Sequence, residues 1–161
     1  RSTAGGRTMK PKLLVSACLL GTPCRYDGKS KKNEAVCALA ERFELIPVCP
    51  EVLGGLPTPR TPSERRGACV VRKDGRDVTA EYRRGAECAL ETARREGVLA
   101  AVLKERSPSC GSGEVYDGTF TGALTAGDGV TAELLKANGI TVYGEGEQSL
   151  TEFLCSVSHS T

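Results

Sequence analysis

Histidine, tryptophan and methionine are nearly absent from this chain of 161 residues, which has one His, one Met and no Trp. The one histidine, His159, stands third from the end of the sequence, where chains usually fray. The composition therefore argues against a histidine-rich zinc site, a Ser-His-Asp triad and a Cys-His dyad. An enzyme of this composition would use carboxylates, hydroxyls, thiols or a cofactor that thiols hold.

A dominant charge sign and long apolar runs are missing as well. The 22 Lys and Arg residues nearly balance the 20 Asp and Glu residues, so the net charge of +2 gives no sign of nucleic-acid binding. No stretch of about 18 apolar residues occurs, so we expect no membrane partner. Because no signal peptide is visible, we expect a cytoplasmic protein in a reducing environment.

Cysteine is the residue that the chain has in excess. Eight cysteines make up about 5% of the sequence, below the roughly 8–10% that is typical of disulfide scaffolds. In a reducing compartment such cysteines are more often free thiols or metal ligands than disulfides.

The length suits one domain with a core of its own. We expect residues 1–8, which are polar and precede Met9, to be an added leader or a disordered tail. Residues 9–147 are predicted to form the domain. Residues 148–161 are predicted to be a polar C-terminal tail, apart from a helical turn near 153–157.

Strand and helix patterns alternate along the domain. Short continuous apolar runs predict buried strands over 13–17, 45–48, 98–103 and 140–143. Apolar residues at helical spacing predict helices over 33–42, 79–96 and 131–138. This order predicts a single α/β domain that is Rossmann-like, with a mostly parallel sheet and right-handed crossovers.

Glycine and proline interrupt the pattern in two long segments. Residues 49–67 and 104–129 are predicted to be loops, and such long loops are usually functional or mobile. A short strand is predicted over 69–72. Asp77 or Thr79 is expected to cap the helix that follows.

Three cysteines follow predicted strands. Cys18 and Cys49 come directly after the first two strands, and Cys110 lies a few residues past the third. Because the carboxyl ends of parallel strands share one edge of a sheet, these thiols are expected to meet there. Independently buried cysteines are about equally compatible with the topology alone. Cys24 lies in the same loop as Cys18, and no C-x2-C pair indicates a zinc ribbon or a bacterial ferredoxin.

The other four cysteines are interpreted as bystanders: Cys37 and Cys88 in helices, Cys69 on a short strand and Cys155 in the tail.

Polar side chains flank two of the three strand-end cysteines. Glu51 stands two residues beyond Cys49, and Ser107 and Ser109 stand just before Cys110. A carboxylate and a hydroxyl beside thiolates are typical of a catalytic site. The alternative is a salt bridge or helix cap for Glu51 and turn hydrogen bonds for the two serines.

Four segments carry a family resemblance: SACLLGTPCRYDG (16–28), CPEVLGGLPTPR (49–60), DVTAEYRRGA (77–86) and LKERSPSCGSGEVYDGTF (103–120). They resemble the small bacterial family of TudS-type thiouracil desulfidases, first described only as a domain of unknown function. The resemblance extends over residues 9–143.

The resemblance implies a 4Fe–4S cluster that Cys18, Cys49 and Cys110 hold, with the fourth iron open to substrate. It implies a non-redox reaction that removes sulfur from thiouracil or a related thiolated pyrimidine and gives uracil and sulfide. Glu51 matches the acid/base carboxylate of the family and Ser107 its catalytic serine. A soft iron site prefers a thiocarbonyl sulfur to a carbonyl oxygen, which agrees with this assignment.

Cys24 leaves an alternative open. As a fourth ligand it would close the site, and the protein would be a redox iron–sulfur or zinc binding module without desulfidase activity. An enzyme with a nucleophilic cysteine is a further alternative, although no histidine is available as the base.

Several charged and polar residues are candidates for substrate contacts. Arg25, Asp27, Arg60 and Ser109 are expected to orient a polar ring or a phosphate, unless they are solvated loop residues. Basic clusters at 29–32 and 65–66 would allow a thiolated tRNA as substrate in place of a small molecule. We expect a monomer or a small homo-oligomer.

Overall fold

The computed structural model describes residues 10–29 and 31–159, so the expectation for residues 1–8 lies outside the described residues. The strands are β1 (Lys12–Ser16), β2 (Glu44–Val48), β3 (Ser63–Arg66), β4 (Cys69–Arg72), β5 (Ala100–Leu103), β6 (Glu114–Tyr116), β7 (Leu124–Ala126) and β8 (Val142–Gly144). The α-helices are α1 (Glu34–Ala38), α2 (Pro50–Leu53), α3 (Thr79–Glu96), α4 (Val130–Ala137) and α5 (Glu147–His159). Short 3-10 helices follow β1 at Ala17–Leu20 and α1 at Leu39–Glu41.

A four-stranded parallel sheet forms the centre of the fold, in the order β2-β1-β5-β8. The predicted α/β class with a mostly parallel sheet is confirmed. Leu13 of β1 lies opposite Leu45 of β2 and Ala100 of β5, which fixes the register of the three central strands. All four residues of β5 are buried, as expected of a strand that is covered on both faces.

Side chains of β1 alternate between two cores, one on each face of the sheet. Leu13 and Val15 pack in a cluster with Phe43 and with Phe153 of α5. Leu14 points to the opposite face, into a cluster that contains residues of α3, α4 and β8. This period-two alternation is what the strand geometry requires.

The C-terminal segment differs from the predicted polar tail. The helix α5 spans 13 residues, and its Leu150 and Phe153 are buried in the core. The Phe153 ring lies 5.3 Å from the ring of Phe43 and 5.1 Å from that of Tyr143. Leu150, Phe153, Leu154 and Val157 are spaced at i, i+3, i+4 and i+7, an apolar stripe among polar residues that predicts this helix.

The two predicted loops contain regular structure. The first, 49–67, includes α2 and the whole of β3, and β3 pairs with β4 in an antiparallel hairpin that turns at Gly67. The second, 104–129, includes the antiparallel pair β6–β7. Within the described part of the chain, no helix is long and apolar enough to cross a membrane.

Candidate functional site

A cavity of about 160 Å³ opens at the carboxyl edge of the parallel sheet. Loops that follow β1, β2 and β5 form most of its wall, which is where the strand order predicted a site. The lining residues are Ser16, Ala17, Cys18, Cys24, Arg25, Tyr26, Val48, Cys49, Pro50, Glu51, Thr61, Pro62, Ser63, Tyr82, Lys104, Glu105, Arg106, Ser107, Pro108, Cys110 and Tyr116. Four cysteines, one glutamate and one serine of the sequence prediction are therefore brought together.

Each strand-end cysteine is held by local structure. Cys18 lies in the 3-10 helix that directly follows β1. Cys49 precedes the first turn of α2, where Pro50 provides a backbone angle that suits a helix start. The loop of Cys110 is anchored to α4, because the N–H groups of Val130 and Thr131 donate to the carbonyls of Pro108 and Ser109.

Cys24 lies between two of these cysteines. Its thiol is within hydrogen-bonding reach of the thiols of Cys18 and Cys49, and the Cys49 thiol lies 3.8 Å from the Cys24 carbonyl oxygen. All of these cysteines are free.

The surroundings of Cys24, Cys49 and Cys110 raise the pKa of each thiol and favour its protonated form. The hydrogen bond with Cys18 is the largest cause that raises the pKa of Cys24. The hydrogen bond with Cys24, and then burial, raise the pKa of Cys49. Burial raises the pKa of Cys110 to about 12. Because metals bind thiolates, iron entering this cavity would displace these protons.

The possible metal ligands in the cavity wall are mainly cysteine thiols, and they lie on separate segments of the chain. Among the described residues, no group of three or more His, Cys, Asp or Glu side chains is arranged to hold a single metal ion. Cys18, Cys49 and Cys110 come from three separate loops of the cavity wall. This arrangement fits an iron–sulfur cluster, in which each thiolate binds a different iron.

Both carboxylate oxygens of Glu51 are engaged. The Tyr82 hydroxyl donates to Oε2 at 2.5 Å, and Nη2 of Arg60 lies 3.1 Å from Oε1. The side chain of Glu51 still lines the cavity and is 18% exposed. Glu51 therefore forms the salt bridge that the sequence allowed, and it also lines the cavity.

Arg60 is not among the residues that line the cavity, so the structure does not support substrate orientation by this side chain. Its guanidinium is 6% exposed and is directed to Glu51 and to the carbonyl oxygens of Cys24 and Pro57, both 3.0 Å away. Its Nε atom is buried without a hydrogen-bond partner. The physical reason is the partly buried carboxylate of Glu51, which is stabilised by a cationic partner close by.

Ser107 forms the turn hydrogen bonds that the sequence allowed, and it also lines the cavity. Its Oγ accepts the N–H groups of Ser109 at 3.0 Å and Cys110 at 3.1 Å, which closes the turn around Pro108. The same side chain lines the cavity. The Ser109 side chain does not line the cavity. It is fully buried and shares a hydrogen bond of 2.8 Å with Thr131.

Arg25 and Asp27 form an ion pair at 3.9 Å, but only Arg25 lines the cavity. Arg25 lines the cavity and lies over the ring of Tyr26, 5.8 Å from its centre. Asp27 does not line the cavity, and its Oδ1 accepts the N–H of Lys29 within a turn. The carboxylate therefore stabilises the loop and does not face the place where a substrate would bind.

Tyrosine is the residue type that the sequence reasoning missed. Tyr26, Tyr82 and Tyr116 line the cavity, which is three of the four tyrosines in the chain. In the sequence, Tyr82 fits the apolar face of the helix predicted over 79–96, which gives no sign of a role at the cavity. Its distance of 31 residues from Glu51 left no local signal of their contact.

Comparisons with known proteins agree with the motifs in this cavity. The family described as 2-thiouracil desulfurase matches residues 13–147, which include all the loops of the cavity. This chain belongs to the 2-thiouracil desulfurase family. The family resemblance that the motifs indicated is thereby confirmed.

Two relatives place the family in context. The uncharacterized protein YbbK of Bacillus subtilis (strain 168) is 43% identical over 145 residues, which cover 84% of this chain and 96% of YbbK. A solved structure of the [4Fe-4S]-dependent thiouracil desulfidase TudS is 50% identical and superposes with a TM-score of 0.85. That match covers 92% of this chain and 99% of the TudS chain.

Proposed function

We propose that this protein is a [4Fe-4S]-dependent desulfidase that removes the sulfur of thiouracil or of a related thiolated pyrimidine. The observation that carries the proposal is the shared cavity of Cys18, Cys49, Cys110, Glu51 and Ser107 at the sheet edge. Membership of the 2-thiouracil desulfurase family and the likeness to TudS support the same reaction. The net reaction replaces C=S by C=O, consumes one water and releases sulfide.

Cys18, Cys49 and Cys110 would hold the cluster. Their thiolates are soft ligands of the kind that iron–sulfur clusters take, and they leave one iron without a protein ligand. When bound, the cluster supplies an open, soft Lewis acid that favours sulfur over oxygen.

Glu51 is the proposed acid/base group. Its carboxylate faces the cavity and takes a proton from the water that attacks the thiocarbonyl carbon. The side chain of Arg60 is almost fully buried and forms an ion pair with this carboxylate. The water proton therefore moves to a group whose position is already set.

Ser107 is the proposed hydroxyl partner of the substrate. Its oxygen already accepts two backbone N–H groups, so its own O–H is directed to donate. A donor at the cavity wall can hold a ring nitrogen or carbonyl of the pyrimidine, or relay a proton to the leaving sulfur.

Cys24 is proposed as a neighbouring thiol and not as a ligand. Its hydrogen bonds with Cys18 and Cys49 would then stabilise the two ligand loops. The alternative, a closed four-cysteine cluster or a zinc module, predicts that Cys24→Ala loses its metal. We expect Cys24→Ala to keep the iron content of the unmodified protein.

A small molecule is the proposed substrate in place of a thiolated tRNA. In the basic cluster at 65–66, Arg65 donates to the carbonyl of Asp128 and to Glu133, and Arg66 donates to the carbonyl of Gly118. These side chains are therefore occupied and are poor candidates for phosphate contacts. We also propose a cytoplasmic location, because reduced thiols are needed to assemble the cluster. The proposed oligomeric state is a monomer or a small homo-oligomer.

The deciding experiment is anaerobic reconstitution with iron and sulfide, followed by incubation with 2-thiouracil and 4-thiouracil. We expect uracil and one equivalent of sulfide for each substrate molecule consumed. The matched control is Glu51→Gln, which should load with iron and release no sulfide. Cluster-loaded, unmodified protein that releases no sulfide would overturn the proposed substrate.

A further inference from the structure

The carboxylate of Glu51 is held from two directions, by the Tyr82 hydroxyl and by the Arg60 guanidinium. Tyr82 donates from α3 to Oε2 at 2.5 Å, whereas Arg60 reaches Oε1 from the segment before β3. Arg60 also binds three other oxygen atoms, on Cys24, Pro57 and Thr58. The Tyr82 hydroxyl has a single proton, which it donates to Glu51, and it also contacts the Ser63 side chain, whereas Arg60 divides its donors among several oxygens.

Two glycines allow this contact to form. Gly54 follows Glu51 by three residues, and Gly85 follows Tyr82 by three. A Cβ atom at Gly85 would overlap the carbonyl oxygen of Pro50, and one at Gly54 would overlap the carbonyl oxygen of Glu81. The two helices α2 and α3 thus meet backbone to backbone, close enough for the phenol of Tyr82 to reach Glu51.

Tyr82 is a neutral donor in this environment. The residue is 2% exposed, so water does not compete for its hydroxyl. Burial, and next the nearby charge of Glu51, raise the pKa of the phenol far above its ordinary value. In its bond to the carboxylate the neutral hydroxyl can only be the donor, and a hydrogen bond to a charged group contributes more than one between neutral groups.

We infer that Tyr82 is a positioning residue of the desulfidase reaction, which holds the Glu51 carboxylate in the orientation that meets the attacking water. This inference rests on the proposed function. Each carboxylate oxygen accepts more than one hydrogen bond, so Glu51 keeps acceptor capacity for the water while Tyr82 and Arg60 hold it. A carboxylate that is free to rotate would spend less time in the reactive geometry.

The test is Tyr82→Phe, which removes the hydroxyl and keeps the ring in the core. We expect kcat for thiouracil to fall about 10- to 100-fold, because a hydrogen bond to a charged group is lost. KM should stay within about twofold and iron content should not change, since Tyr82 is not proposed to touch substrate or cluster. Tyr143→Phe, in the core beside Phe153, is the matched control and should keep kcat unchanged.

Two outcomes would overturn the inference. One is an unchanged kcat in Tyr82→Phe, and the other is a loss of activity that follows a loss of iron or of folded protein. A crystal structure of Tyr82→Phe supplies a readout besides activity, because the Glu51 carboxylate should rotate away from its position in the unmodified protein. If the unmodified protein releases no sulfide, the proposed function fails, whereas an unmoved carboxylate in Tyr82→Phe overturns the positioning role alone.

Discussion

Gly85 of α3 lies so close to the carbonyl oxygen of Pro50 that no side chain fits between them. This contact joins the helix that carries Tyr82 to the short helix that carries Glu51. We expect Gly85→Ala to separate the two helices, because a backbone carbonyl cannot move aside as a flexible side chain would. Overpacking of this kind costs about 1–3 kcal/mol, which exceeds the roughly 1 kcal/mol that alanine gains over glycine in a helix.

The measurement for Gly85→Ala combines urea unfolding with sulfide release. Activity should fall more than about 10-fold even in protein that is fully folded, since the separation also breaks the hydrogen bond from Tyr82 to Glu51. Cys88→Ala, three residues further along the same helix, is the matched control and should preserve both stability and activity. A Gly85→Ala protein with normal activity would show that the close approach is not needed for the reaction.

The ligand assignment predicts a sharp division among the cysteines. Cys18→Ala, Cys49→Ala and Cys110→Ala should each lose most of the iron and the visible absorption of the cluster, because each thiolate binds a different iron. Cys37→Ala should keep both, since Cys37 lies on α1, does not line the cavity and donates its thiol hydrogen bond to the carbonyl of Leu19. Iron analysis after anaerobic reconstitution measures this, and retention of a full cluster in any of the first three variants would remove that residue from the ligand set.

The sequence predicted the parallel sheet and the meeting of the cysteines for one physical reason. Strands buried on both faces are continuous apolar runs, and residues that follow such strands must lie at one edge of the sheet. Cys18, Cys49 and Cys110 therefore come together at the predicted edge. Their neighbours Glu51 and Ser107 line the same cavity because each is only two or three residues away in sequence.

Contacts between distant segments were beyond the reach of the sequence pattern. The strand β3 is polar and short, and Glu64 within it accepts the N–H groups of Gly118 and Phe120, more than fifty residues away. The bond from Tyr82 to Glu51 likewise depends on two glycines, Gly54 at the end of α2 and Gly85 within α3. Periodicity describes one element at a time, so it does not report which elements touch.

Ser107 is predicted to act both in the turn and in the reaction. Ser107→Ala removes the acceptor for two backbone N–H groups, so we expect a loss of stability of about 1 kcal/mol. Removal of a hydroxyl that donates in the reaction should also lower kcat about 100-fold or more. Ser107→Thr keeps the hydroxyl and should restore the stability, and a Ser107→Ala protein with unchanged kcat would leave Ser107 a turn residue only.

Asp77 makes the start of α3 sensitive to acid. Its Oδ1 accepts the N–H of Thr79 at 2.8 Å, and the hydrogen bonds of the Thr79 side chain and then its backbone hold the pKa of Asp77 below its ordinary value. Because the folded-state pKa is the lower one, this stabilisation is complete above the ordinary aspartate pKa. It is lost as the pH falls through the folded-state value.

Asp77→Asn tests this pH dependence. Asparagine still accepts the hydrogen bond but does not titrate, so the variant should show a flatter decline of the unfolding free energy between about pH 5 and pH 2. Urea denaturation across that range measures the slope. Identical slopes for the variant and the unmodified protein would mean that Asp77 has the same pKa in the folded and unfolded chains.

The packing of α5 against the core predicts how two substitutions on this helix change the free energy of unfolding. Phe153 is 1% exposed and its ring meets those of Phe43 and Tyr143, so Phe153→Ala should destabilise the protein by about 3–5 kcal/mol. Cys155 is exposed on the same helix, and Cys155→Ala should change the unfolding free energy by less than about 0.5 kcal/mol. Equal effects of the two changes, measured by urea unfolding, would show that α5 does not contribute to the core. A large difference would mean that the apolar stripe of residues 150–157 stabilises the fold, although it lies in a segment whose composition is mostly polar.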